Sequence, residues 1–314
     1  MDVPAASAFN TDPLLAAGIV AVGLGVSWVQ RRGSLRWRRA GHTLSLATAV
    51  ALLGVAWLSP LGTVAAHYLL SAHLLQVTLV MGVAAPLLLL ALPRRPRIPA
   101  PRAVVIALRV LVHPVVAIVV VNAAFFGWHM TTPYDAGLRS GWLYDLQQLT
   151  LLAASLAFWW PIITPFSPPV KAMSAVSKMG YILLATIPQT FGGLVVALAR
   201  QVLYPAYERA PRVLGLDAMT DQQIAGASIA LVSKIALLTA FVIVFLRLLE
   251  SGSTEADDED GGGGLKPRVD APRPVPSGSP PWLAELNSGR TVSEPSLPAP
   301  RRVREPASAG SGRA

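Results

Sequence analysis

The sequence predicts an all-α, polytopic membrane protein of about seven transmembrane helices, with the N-terminus outside and the C-terminus in the cytoplasm. Three observations carry that expectation. Hydrophobic residues make up 53% of the 314 residues and charged residues only 14%, against about 25% charged in an ordinary soluble chain. Continuous apolar runs near or above the ~18 residues needed to cross a bilayer recur along most of the chain. A membrane β-barrel would instead alternate over segments of about 10 residues. Finally, arginine and lysine crowd into alternate loops between the runs, which is the charge asymmetry that orients membrane helices.

Taken in order, the expected spans are Asp12–Gln30, Ala40–Leu58, Ala66–Leu92, Ala103–Trp128, Trp142–Ile163, Ser174–Ala199 and Gln223–Leu249. The first lacks a basic leading region and an A-x-A cleavage site before its basic flank, so it reads as a retained helix and not as a signal peptide. Eleven basic residues fall on one side: Arg31, Arg32, Arg36, Arg38 and Arg39, then Arg94, Arg95, Arg97 and Arg102, then Lys171 and Lys178. The opposite loops hold Arg139, Arg200, Arg209 and Arg212, partly offset by Asp135, Glu208, Asp217 and Asp221. That distribution places the cytoplasm at the basic loops, and it explains the net charge of +9 without a nucleic-acid partner. The expected organisation is a short outer N-terminus over 1–11, a membrane domain over 12–249 and a cytoplasmic tail over 250–314. The tail carries an acidic run (Glu255, Asp257–Asp260), four glycines and then Pro, Ser and Arg. Such a composition buries too little apolar surface to offset its ordering entropy, so disorder is expected. Pro281-Trp282-Leu283 reads as incidental to that tail.

The chain has no cysteine, which excludes disulfides, thiolate metal sites and cysteine nucleophiles. No H-E-x-x-H, G-x-S-x-G or P-loop pattern occurs, and the chain reads as non-enzymatic. Its chemistry-bearing residues gather at the outer ends of the spans. His67 and His73 begin the third, His129 ends the fourth, Tyr144, Asp145, Gln147 and Gln148 open the fifth, and Asp221 and Gln222 precede the seventh. Polar side chains in membrane spans face the bundle interior or an aqueous cavity, so a single outward-opening polar site is expected. His73 and Gln76 share one helix face at i, i+3; His67, six residues from His73, points elsewhere. His42 and His113 fall toward the cytoplasmic side and take structural roles. Histidines without cysteine suit copper, zinc or haem iron, and Met81, Met130 and Met219 are soft accessory donors or packing. Lys234 lies eleven residues into its span, about 17 Å along the helix, where a lysine costs about 2.5 kcal/mol or more unless paired; Asn122 is one candidate partner. Trp159-Trp160-Pro161 anchors the fifth span, and Pro188 with Gly192-Gly193 predicts a kinked sixth helix with a close neighbour.

Several segments, in order, resemble one family. They are Tyr68 to Gln76 leading to Ala85-Pro86-Leu87; His113-Pro114; Gly127-Trp128-His129 with Tyr134-Asp135-Ala136; Phe158 to Pro161; Leu203-Tyr204-Pro205-Ala206-Tyr207; and Asp221 to Gly226. Together they look like the CtaG-type assembly factors of bacterial caa-type cytochrome c oxidases. The resemblance implies a multi-pass protein of the bacterial plasma membrane that helps mature a haem-copper oxidase. It also implies copper delivery or scaffolding on the outer face, with the oxidase subunits and the lipid bilayer as partners. His73 and His129 match family histidines and are the expected metal contacts, with Gln76, Tyr144, Gln148, Asp221 and Gln222 lining the site. The chain departs from the family pattern at Val77, Tyr144 and Gln148, where histidines are usual, and at Thr131, where proline is usual. It reads as a diverged member short of three imidazoles. The alternatives are a transporter or channel for a metal ion or protons, motivated by Lys234, and, more remotely, a membrane enzyme using a histidine–aspartate pair.

Overall fold

The computed structural model describes residues 3–32, 39–93, 101–163 and 173–261. The basic loop residues Arg36, Arg38, Arg94, Arg95, Arg97 and Lys171, and Trp282 of the tail, lie outside them. The described residues are helical, with no strand among them. Contacts divide the chain into two units, Met1–Glu255 and Ala256–Ala314. Among the described residues five helices are long and apolar enough to cross a membrane, or six where one bent pair counts as a single span.

Helix α1 (Pro13–Arg31) starts where Asp12 accepts hydrogen bonds from the Leu14 and Leu15 N–H groups, with Pro13 as its first residue. This is a strong start signal because proline's missing N–H falls where no intrahelical bond is made. Helix α2 (Arg39–Leu58) packs beside it and ends at Ser59, whose hydroxyl accepts from Leu61 to open the short α3 (Pro60–His67). Gly62 permits that corner: a Cβ there would stand 2.4 Å from the Trp57 carbonyl oxygen.

The third expected span breaks where the sequence reading ran it through. Tyr68 and Leu69 leave helical geometry, with Leu69 extended at φ −133° and ψ 128°. A new helix, α4 (Leu70–Thr78), begins at Leu70, followed by a π-helical segment, Leu79–Ala84, and α5 (Ala85–Leu90). His67 therefore belongs to α3, is exposed, and is not in the membrane-crossing segment. The π segment leaves the Met81 carbonyl available, and two side chains of a neighbouring helix take it: Ser155 Oγ donates at 2.7 Å and Trp159 Nε1 at 2.9 Å. Trp159 is thus a buried packing and hydrogen-bonding residue as well as part of an aromatic end. Trp159→Phe, which removes the indole N–H and part of the ring from a buried position and leaves Ser155 donating, is expected to cost about 2 kcal/mol, read as a lowered unfolding midpoint in detergent.

The fourth expected span is also two helices. Helix α6 (Arg102–Leu111) buries none of its residues, and α7 (Pro114–His129) turns from it by 75°. Pro114 enforces the bend, because the residue before proline is driven out of α geometry; His113 sits at ψ 131°. At its other end α7 turns at Met130 into α8 (Thr131–Arg139). Helix α9 (Gly141–Ile163) is the central helix, with buried residues spread along it from Tyr144 to Ile162. Its Phe158 stacks on Tyr181 of α10 (Ala175–Leu198) at 5.1 Å.

A short α11 (Pro205–Glu208) leads to α12 (Ala218–Gly261), whose start is capped by Asp217 accepting from Met219 and Thr220. The hydrogen bonds from Thr220 hold the exposed Asp217 carboxyl below its usual range. Helix α12 continues to Gly261, past the expected start of the tail at residue 250; residues 262–314 lie outside the described residues. The predicted close neighbour of α10 is α12. A Cβ on Gly193 would meet the Gly226 carbonyl oxygen at 2.8 Å, and one on Gly226 would meet Ala197 N at 2.3 Å. Gly192 faces Phe126 of α7 instead.

Candidate functional site

The α3–α4 break sets the position of His73. Leu69 offers no side-chain cap to α4, so the uncapped backbone N–H groups of Leu70 and Ser71 at its start need an acceptor from elsewhere. Asp221 of α12 supplies it. Its carboxyl oxygens accept from Leu70 N at 2.7 Å, from Ser71 N at 3.1 Å and from the Ser71 hydroxyl. An anionic group at a helix N-terminus also meets the positive end of the helix dipole. Three residues on from Leu70, one turn into α4, His73 is fully buried.

His129, the last residue of α7, comes to the same place. The two imidazole centroids are 5.5 Å apart, tilted by 53°. His129 Nδ1 donates to the Phe125 carbonyl at 2.7 Å, one turn back on its own helix, which leaves Nε2 as the unprotonated nitrogen of the neutral ring. That Nε2 is buried without a hydrogen-bond partner, as are both ring nitrogens of His73. Buried polar atoms normally find a partner, so three such nitrogens side by side mark an unusual spot.

Aromatic rings wall it. Tyr134 lies edge-on to His73 at 5.1 Å and 5.7 Å from His129, Tyr144 lies 6.0 Å from His73, and Phe125 stacks on His129 at 4.4 Å. The tyrosine hydroxyls are directed away from the imidazoles. Tyr207 donates to the Ala65 carbonyl at 2.6 Å, so Tyr134, 2.7 Å from the Tyr207 oxygen, is the donor of that pair. Tyr204 donates to the His129 carbonyl at 2.8 Å, pinning the end of α7. Tyr134, Tyr204 and Tyr207 belong to the Tyr134–Ala136 and Leu203–Tyr207 segments, but nothing in their spacing assigns them to the walls of a histidine pair.

The expected lining residues divide into two groups. Gln76, Tyr144 and Gln148 join a buried network beside His73. Gln76 Oε1 accepts from Tyr144 at 2.8 Å and from Gln148 Nε2 at 3.2 Å, while its own Nε2 donates to the Ala56 carbonyl at 2.8 Å. Trp57 Nε1 closes the chain on Gln148 Oε1 at 3.0 Å. This network ties α2, α4 and α9 together and fixes the Tyr144 ring against His73. Gln76→Leu leaves the Ala56 carbonyl without its donor and both Tyr144 and Gln148 without their acceptor. It is expected to destabilise by about 2–4 kcal/mol, measured by thermal unfolding of the purified protein in detergent.

Asp221 and Gln222 do not join the histidines. Asp221 caps α4, and Gln222 binds the loop after α10, accepting from Leu203 N at 2.7 Å and donating to the Gln201 carbonyl at 3.1 Å. Val77 is buried among Leu74, Phe125 and Ile229. Lys234 is half-buried on α12. Asn122 does not accept from it: its Oδ1 has no partner and its Nδ2 turns back to Ile118.

The expected outward polar opening is an apolar cleft of about 440 Å³ between α7, α10 and α12, where His129, Met130 and Tyr204 are bordered by Phe126, Val195 and Leu203. Among the described residues, no group of three or more His, Cys, Asp or Glu side chains is placed to hold a metal ion. Two neutral imidazoles with unspent nitrogens are therefore the donor set on offer. They fit a metal ion of low coordination number, and not one that needs four protein ligands.

Comparison with known proteins gives one family. The model of the cytochrome c oxidase caa3 assembly factors matches residues 21–251, the helical region that contains every residue of this site. No curated protein and no solved structure gives a significant match.

Proposed function

The chain belongs to the cytochrome c oxidase caa3 assembly factor family, and from that membership we propose that it handles copper for the oxidase at the His73–His129 pair. The observation that carries the reading is the pairing itself. Two imidazoles from helices 56 positions apart in sequence meet at 5.5 Å with three of their four ring nitrogens buried and unpartnered. Copper is here the cargo, held by nitrogen donors that suit it.

The proposed topology has seven spans, α12 supplying the last, with the N-terminus outside and the histidine pair near the outer face of the bacterial plasma membrane. The loop charges support that orientation. The role is non-enzymatic: the chain docks oxidase subunits and passes or positions the metal. The test is a deletion strain complemented with wild-type protein or with His73→Ala. Loss of oxidase activity and of oxidase copper, restored by wild type and not by His73→Ala, is the expected result. Normal activity and copper content without the protein would overturn the proposal. The rival transporter reading rests on Lys234, half-buried in α12. It requires Lys234→Met to abolish function, which the assembly reading does not.

A further inference from the structure

We infer that α6 is an in-plane helix of the membrane surface whose arginine stripe binds the phosphate groups of anionic phospholipids. The inference rests on the membrane topology proposed above and does not depend on the histidine pair.

The helix carries two opposed faces. At 3.6 residues per turn, Arg102 and Arg109 fall on one stripe two turns apart. Val104, Ala107, Leu108 and Leu111 take the i, i+3, i+4, i+7 positions of the opposite face, the pattern of a helix that buries one side. The fold leaves that side bare. Val104 is 46% exposed, Leu108 42% and Leu111 37%, and both arginines are exposed as well. An apolar stripe of this kind calls for cover from water. A helix with arginines opposite aliphatic side chains finds it at the boundary between headgroups and acyl chains.

The bend supplies the orientation. Run straight, α6 and α7 would form a rod from Arg102 to His129 about 42 Å long, against a hydrocarbon core of about 30 Å. The 75° turn at His113-Pro114 takes up the excess: with α7 crossing the bilayer, α6 lies close to the membrane plane. A dip of α6 into the core is disfavoured, because it would carry Arg102 and Arg109 into hydrocarbon.

Arginine sets the class of ligand. The guanidinium stays charged, and its fork of N–H donors matches two phosphate oxygens. With the aliphatic face toward the acyl chains, the long arginine stems keep both forks at headgroup level. No Asp or Glu lies within α6 to compete for them. The loop charges place this end of α7 at the cytoplasmic leaflet, whose surface is negative. A headgroup with net negative charge, such as phosphatidylglycerol, complements the stripe, whereas a zwitterionic one brings its own ammonium.

The full-length protein has no cysteine, so a single introduced thiol carries a spin label at one known place. Leu108→Cys and Leu111→Cys probe the apolar face, and Ile106→Cys the flank of the arginine stripe. In nanodiscs of phosphatidylcholine and phosphatidylglycerol, the first two labels should be reached by oxygen and shielded from a water-soluble nickel complex. The label at 106 should be reached by the nickel complex. Nickel access at all three positions puts α6 in water and overturns the inference. Shielding of 108 and 111 from both reagents means that protein covers the face, and overturns it too. Native mass spectrometry of the detergent-solubilised protein, titrated with each lipid, reads the ligand. Arg102→Gln and Arg109→Gln should each weaken phosphatidylglycerol binding about five-fold, and together about 25-fold, leaving phosphatidylcholine unaffected. Both positions are exposed, and an unchanged unfolding midpoint verifies that the fold is kept. Equal binding of the two lipids by the wild type, or indifference to the double variant, overturns the inference. Each of these failures leaves the metal-handling proposal untouched.

Discussion

Gly226→Ala is expected to destabilise the membrane domain by about 3 kcal/mol or more, the largest effect foreseen for a single methyl group. The added Cβ would stand 2.3 Å from Ala197 N, 2.6 Å from the Gly193 oxygen and 2.8 Å from Ala197 Cα. Every one of those atoms is backbone, so no side-chain rotation relieves the overlap, and α10 and α12 must move apart. Overpacking of this kind costs about 1–3 kcal/mol where side chains can yield, and here they cannot. Membrane helices lack a hydrophobic drive to associate and depend on close backbone approach, so the loss spreads along the contact. The measurement is the unfolding midpoint and the yield of monodisperse protein in detergent. Gly25→Ala is the matched control. Nothing lies within 4 Å of a Cβ at that position, and the change should be neutral or slightly stabilising because alanine is the better helix former.

Asp221→Ala should rank next and should also reach the histidine pair. It removes the acceptor for Leu70 N, Ser71 N and the Ser71 hydroxyl in a site where Asp221 is itself only 2% exposed. Leaving a buried donor without an acceptor costs about 1–3 kcal/mol, so with three donors stranded together a total of at least about 3 kcal/mol is expected. Asp221→Asn keeps one acceptor oxygen and should cost about half as much. Because α4 starts at this contact and carries His73 one turn later, both variants should weaken the metal binding proposed at His73, in the order Ala then Asn. Unfolding curves and metal titration on the same preparations read the two effects separately. A residue that served as a metal ligand would give the same metal loss in both variants and spare stability.

Much of the fold was legible in the sequence because bilayer thickness and apolar run length are tied by simple geometry. The spans at residues 12–30, 40–58, 142–163 and 174–199 correspond to helices α1, α2, α9 and α10 to within a few residues. Two of the remaining spans were read as continuous and are not. The break at His113 had a local signal in Pro114. The break at Leu69 had none, because its cap is Asp221, about 150 residues away. The candidate site was half legible. Depth brought His73 and His129 to one level, and the structure sets them 5.5 Å apart. Depth could not tell a ligand from a clamp, and Asp221 and Gln222 are clamps.

The sequence by itself determined the class of protein, the run of membrane helices, the absence of thiol chemistry and the clustering of imidazole and amide groups at one end. These follow from composition and from a helix rise of about 1.5 Å per residue, which need no knowledge of neighbours. Only the tertiary structure decided which polar groups are spent on holding helices and which remain unspent. Gln76, Tyr144, Gln148 and Asp221 find partners on other helices and Gln222 on the loop after α10, while His73 and Nε2 of His129 find none. A hydrogen bond depends on distances of about 3 Å between atoms far apart in the chain, and that information exists only once the helices have packed.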